Sequence, residues 1–377
     1  MKKFIFLFLF IFYQSTAFSI NQFKYSKDSL RAEFCNTLYD NLNFPNLPNK
    51  TPLKIDTELL VEEINNVDGK SFSFDAVYTL WIYWTDDRVI ELLKKLGKYE
   101  KTNEPTYLCD YEVSSIWGAK RKLFDPVVEI YNQKKTPKYS ERFDWIEIFS
   151  NGTIQARVRT SSEFRTKELD FSKFPFDKQT FSFHIFSEFP INFVEFIPNK
   201  KMNTHKKELY KADGEDGLNI PGWKVKDVHF KNIITKEDKY EYSGFVVEIT
   251  AERNFGYYIF KIMIPVIFLI VITWSVFWIK VSELQAKVNV TVVTLLALIA
   301  YNFIFEQDIP KLSYVTYLDV FILVSYFFAG TATILCIYSH WKYLISKKDQ
   351  NIVGYYARRF GPISYVLINL LAIFLYI

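Results

Sequence analysis

SELQAKVNVTVVTLLALIAYNFIFEQDIPK, residues Ser282 to Lys311, contains 18 consecutive uncharged residues from Val288 to Phe305. At about 1.5 Å of rise per residue, a helix over that run is roughly as long as a bilayer's hydrocarbon core is thick. Asn289, Val293, Leu296, Ala300, Phe303 and Gln307 recur at steps of four and three, which aligns them on one stripe. The stripe carries amides at both ends and apolar side chains between. A helix that lines a pore has this form: polar rings at the mouths and a hydrophobic constriction that closes by dewetting. A buried membrane helix whose Asn289 bonds a neighbouring helix has it too, and the stripe alone leaves both readings open.

Three more runs lack Asp, Glu, Lys and Arg over a spanning length: Ile262 to Ile279, Val320 to Tyr338 and Phe360 to Ile377. The connection after the first span carries Lys280 and Lys287, and the one after the third carries Lys342, Lys347, Lys348, Arg358 and Arg359. The second connection, Glu306 to Lys311, is net acidic. The positive-inside rule therefore puts the first and third connections in the cytoplasm and everything before the first span outside. The amino terminus agrees. Lys2 and Lys3, an apolar core from Phe4 to Phe12, and the small residues Ser15 and Ala17 predict a secretory signal peptide over residues 1–19.

The exported part, residues 51–253, reads as short strands. Phe72–Trp84, Trp145–Phe149, Thr153–Val158, Thr180–Phe186, Trp223–Phe230 and Gly244–Glu252 carry the signal, and alternation is plain in FSFHIF and GFVVEITAE. Asn151-Gly152 between two of these runs is a hairpin signal. The fold class is an extracellular immunoglobulin-like β-sandwich followed by a four-helix transmembrane bundle over 254–377. Residues 20–50 form an amino-terminal extension, in which Leu30, Phe34 and Leu38 predict a short helix packed on the end of the sandwich.

Composition excludes several classes. The net charge of +4 gives no case for nucleic acid, and aromatics at 19 % fit lipid-facing and sheet surfaces. There is no metal-ligand spacing, no nucleophile–base motif and no cofactor signature, so an enzyme is not expected. Cys336 lies inside an apolar run; Cys35 and Cys109 are both on the exported side and are able to pair, although nothing in the sequence shows that they do.

Phe174-Pro175-Phe176-Asp177-Lys178-Gln179 resembles the FPFDxQ loop of pentameric ligand-gated ion channels, the Cys-loop receptor superfamily. Trp84-Thr85-Asp86-Asp87-Arg88 resembles the family's WxDxR strand motif, and Gly222-Trp223-Lys224-Val225 its GWxV strand start. Glu252-Arg253-Asn254, Ile264-Pro265, Ser275-Val276-Phe277-Trp278 and Asp308-Ile309-Pro310-Lys311 resemble the pre-membrane arginine, the first membrane helix and the second–third helix loop. The resemblance runs from about Thr51 to Ile377. Two departures stand out. The cysteines that bracket the FPFD loop in animal members are replaced by Lys167 and Phe181, which together with the short Lys342–Arg359 connection resembles the prokaryotic branch. Phe124-Asp125-Pro126 stands where the family more often has Trp-x-Pro.

The resemblance implies a site for a small-molecule or proton agonist between neighbouring subunits of a homopentamer. The principal face would use Tyr131, the Phe186–Phe189 turn with Glu188, and Tyr240 with Tyr242; the complementary face would offer Trp81 and Arg159. Aromatic faces with a nearby carboxylate suit an ammonium group, whereas Arg159 in the box would favour an acidic ligand. Asp68, Asp177 and Arg253 are expected to meet at the domain boundary, with Pro310 and Lys311 carrying movement to the pore helix. For inorganic ions the signals conflict: Ala286-Lys287 resembles anion-conducting members, while Glu283 at the inner mouth and Glu306 and Asp308 at the outer mouth favour cations. Cations are expected; an anion channel of the same fold and a non-conducting membrane-anchored receptor are the alternatives. The expected location is the plasma membrane, or the inner membrane of a bacterium, in contact with lipid.

Overall fold

The computed structural model describes residues 30–48, 51–69, 71–117, 121–134, 144–166, 169–197, 218, 220–305, 312, 314–346 and 352–376. The signal-peptide reading of residues 1–19 lies outside the described residues, as do Gln307, Pro310 and Lys311.

Among the described residues, ten strands form two sheets. They are β1 (Leu53–Asp68), β2 (Ser73–Thr85), β3 (Tyr107–Glu112), β4 (Val128–Ile130), β5 (Trp145–Phe149), β6 (Thr153–Arg165), β7 (Lys178–Pro190), β8 (Val194–Ile197), β9 (Trp223–Glu237) and β10 (Tyr240–Arg253). The six-stranded sheet has the order β3-β5-β6-β2-β1-β8 and the four-stranded sheet β4-β7-β10-β9. Period-two alternation faces the sheets together: Phe74, Ala76, Tyr78, Leu80 and Ile82 of β2 are buried, as are Phe181, Phe183 and Ile185 of β7. Phe74 and Phe164 from one sheet meet Phe181 and Phe183 from the other. Phe164 and Phe183 have centroids 4.8 Å apart, and Phe74 and Phe181 5.1 Å. Such edge-on pairs add about 0.5–1.5 kcal/mol each beyond their buried area.

Several elements run past their sequence signals. β6 continues beyond Val158 to Arg165, and β9 beyond Phe230 to Glu237. Apart from Ile233, both extensions are polar on the outer side, so hydrophobic alternation fades while backbone pairing goes on. The Asn-Gly turn forms as expected: Gly152 has φ +81° and its N–H donates to the Phe149 carbonyl at 2.9 Å.

Helix α1 spans residues 30–41 and packs Leu38 into the core. Cys35 and Cys109 form a disulfide that fastens this helix to β3. The Trp84–Arg88 motif acquires a structural role. Asp86, buried, caps α2 (Asp87–Lys95) by accepting from the Arg88 N–H, and the Arg88 guanidinium holds the same carboxylate at 2.6 Å. Trp84 stacks on Trp117 of the short helix α3 (Val113–Trp117), with centroids 6.1 Å apart.

Among the described residues, four helices are long and apolar enough to cross a membrane: α4 (Gly256–Trp278), α5 (Leu284–Phe305), α6 (Tyr317–Ser346) and α7 (Ile352–Tyr376). Small residues seat the large ones. A Cβ at Gly361 on α7 would come within 2.0 Å of the Trp274 indole of α4, whose Nε1–H donates to the Ala357 carbonyl at 2.8 Å. Ser325 of α6 and Tyr365 of α7 hydrogen-bond at 2.9 Å.

Candidate functional site

Three features outside the core could do chemistry or conduct, and they lie one above the other along the chain's path to the membrane.

The uppermost is a cleft of about 600 Å3 on the outer face of the four-stranded sheet. Strand register explains its lining. On β7 the inward residues are Phe181, Phe183 and Ile185, so His184, Phe186 and Glu188 point out. Glu129 pairs with Phe186, Phe186 with Gly244, and Gly244 with Ile233, which lays one row across all four strands. Gly244 has to be a glycine: a Cβ there would stand 2.4 Å from the Ile185 carbonyl oxygen and 2.4 Å from the Phe186 ring. The Phe186 ring lies low over the sheet as a result, and Tyr131 meets it edge-on at 6.4 Å. Tyr131, Phe186, Glu188 and Tyr242 thus line one cleft. Tyr240 stands exposed near the tip of the β9–β10 hairpin with Lys239 over its ring at 5.1 Å. Phe189 instead packs on Phe124, 5.3 Å between centroids, and does not line the cleft.

Trp81 and Arg159 lie elsewhere, on the outer face of the six-stranded sheet. The Arg159 guanidinium forks onto Glu62, with Nε–Oε1 2.9 Å and Nη2–Oε2 2.5 Å. That hydrogen bond holds the Glu62 carboxyl below its usual range. The sandwich core separates the two faces within one chain. A site that uses both sets of residues needs two chains side by side.

The second feature is at the boundary with the membrane. Arg253 ends β10 and its guanidinium clamps Asp177, Nε–Oδ1 2.7 Å and Nη2–Oδ2 3.0 Å, with Asp177 only 1 % exposed. Gln179 donates to the same carboxylate at 2.6 Å. The guanidinium also stacks against Trp223 at 4.0 Å and Phe174 at 4.8 Å. Asp68 is exposed at the β1–β2 turn and accepts from the Ser71 hydroxyl at 2.8 Å. The loop that carries Asp177 sits on the membrane domain directly. Phe171 N–H donates to Tyr314 Oη at 3.0 Å, Tyr317 N–H to the Ser172 carbonyl at 2.9 Å, and the Phe176 ring lies 5.6 Å from that of Tyr317.

The third is α5. Lys287, Thr291, Thr294 and Leu298 face the other helices and are buried, whereas Asn289, Val293, Leu296, Ala300 and Phe303 are exposed. Val293, Leu296 and Phe303 show 65 %, 59 % and 62 % of their surfaces, uncovered by their own chain. Lys287 is 1 % exposed on the opposite side, and Glu283 is exposed just before the helix begins.

The sequence matches the family model of the neurotransmitter-gated ion-channel ligand binding domain over residues 27–255, and that of the neurotransmitter-gated ion-channel transmembrane region over 262–351. The chain belongs to the neurotransmitter-gated ion-channel family.

It is therefore a ligand-gated ion channel subunit, not an enzyme, and a multi-pass membrane protein with its ligand-binding domain outside the cell. Among relatives of this channel, the proton-gated ion channel of Gloeobacter violaceus is 26 % identical over 333 residues, 86 % of this chain and 84 % of that protein. A gamma-aminobutyric acid receptor beta subunit of Lymnaea stagnalis is 19 % identical, covering 80 % of this chain and 59 % of that protein. The pH-sensitive chloride channel 2 of Drosophila melanogaster is 22 % identical, covering 76 % of this chain. The channel spans 54 % of the length of that last relative.

Cleft residues absent from the sequence reading are Glu129, His184, Ile233, Thr235 and Glu237. No motif marks them. Their common property is the parity and register of four strands, and β4 is only three residues long. The length of β9 past Phe230, which carries Ile233, Thr235 and Glu237 to the cleft, has no apolar pattern to announce it.

Proposed function

We propose that the protein assembles as a homopentamer of the prokaryotic branch and conducts cations, opened by a small ligand or protons acting at the extracellular subunit interface. The observation that carries the cation reading is the direction of Lys287. Its side chain is buried among the helices of its own subunit, away from the exposed stripe of α5, while Glu283 remains exposed at the same end. A basic ring at the inner mouth is what an anion channel would use, and Lys287 does not supply one; a carboxylate ring from Glu283 concentrates cations there. The uncovered stripe of α5 supports a pore in which Asn289 frames the inner mouth and Val293, Leu296, Ala300 and Phe303 line the constriction. The opposite placement of the cleft and of Trp81 and Arg159 supports an agonist site shared by two subunits.

Reversal potentials of purified protein in a planar bilayer, under a salt gradient, test this reading. Current should reverse near the cation equilibrium potential, and Glu283→Gln should weaken that preference. Reversal at the chloride equilibrium potential would overturn it. The absence of current from any condition, including the stripe variant described below, would instead favour a non-conducting receptor.

A further inference from the structure

The connection between α4 and α5 is short, and its hydrogen bonds decide where it lies. Lys280, Ser282 and Glu283 are exposed, while Val281 among them is only 4 % exposed. Val281 lines a cavity of about 110 Å3 with Ser339 and Tyr343 of α6 and with Ile352 and Val353 of α7, so the connection is wedged against the ends of both helices. His340, near the end of α6, donates from Nδ1 to the Val281 carbonyl at 2.8 Å. A carbonyl only accepts, which places a proton on Nδ1. The ring also lies beside that of Tyr343, 6.1 Å between centroids. Two residues after Val281, the Glu283 N–H donates to the Lys280 carbonyl at 3.1 Å and closes the connection into a turn. The first turn of α5 holds Glu283 less tightly, since the Lys287 N–H reaches its carbonyl only at 3.4 Å.

We propose that His340 is a positioning residue for ion selectivity: through the Val281 carbonyl it holds the turn that presents Glu283. The inference rests on the reading of Glu283 as the carboxylate ring of the inner mouth and adds the residue that keeps that ring in place. An exposed carboxylate on a connection acts on passing ions only as far as its backbone is fixed, because the attraction falls with distance and with intervening water. Without the Nδ1 donor, the Val281 carbonyl loses its partner against α6. The turn then moves outward to meet water, and Glu283 moves with it. A neutral hydrogen bond favours the bonded position by roughly two- to tenfold. Its loss therefore spreads the carboxylates over several positions and dilutes their field at the mouth.

The test measures reversal potentials of the full-length channel in planar bilayers under a potassium chloride gradient, with openings supplied by Leu296→Ser and by acid steps. His340→Phe keeps a ring beside Tyr343 and removes the donor. It should lower the potassium-to-chloride permeability ratio by roughly twofold or more, toward the value of Glu283→Gln. His340→Asn, whose amide nitrogen takes the place of Nδ1, should restore the parent's ratio. On a Glu283→Gln background, His340→Phe should change nothing further, because both act through one carboxylate. A ratio unmoved by His340→Phe while Glu283→Gln lowers it would overturn the proposal and leave the cation reading in place. Equal drops in His340→Phe and His340→Asn would overturn it too. A ratio that Glu283→Gln leaves unchanged would remove the ring itself, and the proposal with it. Amide exchange of the purified protein gives a readout that needs no current. Peptides covering residues 280–287 should exchange faster in His340→Phe than in the parent and in His340→Asn, and equal rates in all three would overturn the proposal.

Discussion

Arg253 ties the end of the sandwich to the loop that rests on the membrane domain. It closes the last strand of the sandwich, and its guanidinium is held by a buried Asp177 on the loop that touches Tyr314 and Tyr317. Removing one partner of such a pair strands the other charge and typically costs 3–5 kcal/mol. Four rings around the guanidinium, Phe171, Phe174, Trp223 and Tyr258, keep water away and make the loss local to this junction. Arg253→Ala should therefore preserve ligand binding to the sandwich while reducing agonist-evoked current severely, at comparable surface abundance. Activation like that of the parent channel would remove this pair from the coupling path.

At the scale of the element, α5 is the informative case, because adjacent residues on it have different surroundings. Leu296 is exposed; Leu295, about 100° around the helix, packs against the core of the same subunit. If five copies present Leu296 to a common axis, their side chains form a dry belt that an ion cannot cross without losing its hydration. Burial of that belt at about 25 cal/mol per Å2 favours the closed state. Leu296→Ser puts a hydroxyl in the belt from each subunit and removes the burial, so it should shift the equilibrium toward open, seen as spontaneous current or a lower agonist requirement. Leu295→Ser should lower folding yield and leave gating near normal. Equal effects in single-channel recordings would mean that the exposed stripe faces lipid.

At the scale of the whole molecule, the apolar surface is far from satisfied by one chain. The stripe of α5 is exposed, Tyr131 and Tyr240 stand exposed on the side of the cleft, and the sandwich places the cleft and Trp81 on opposite sides of its core. A ring closes these surfaces on one another, since a heterologous interface repeated by rotation pairs each subunit's cleft face with its neighbour's opposite face. Images of detergent-purified particles should show fivefold symmetry about an axis parallel to α5. Twofold particles or isolated monomers in the same detergent would exclude both the shared agonist site and the pore.

Much of this was written in local pattern. Four uncharged runs, a period-two alternation in FSFHIF, an Asn-Gly turn and the FPFDKQ loop each declare themselves within about twenty residues or fewer, because hydrocarbon thickness, sheet pleat and turn geometry are local demands on sequence. The placement of Asp177 beside Arg253 followed from family motif and was not derivable from spacing, since the two are far apart in the chain. Whether Cys35 meets Cys109 depended on where α1 docks. The carboxylates of the cleft depended on register among β4, β7, β10 and β9, and register follows from which faces of two sheets are buried against each other. The direction of Lys287 was beyond any one-dimensional reading: a lysine on a membrane helix can face the pore or the bundle, and only the packing of α5 against its neighbouring helices decides between them.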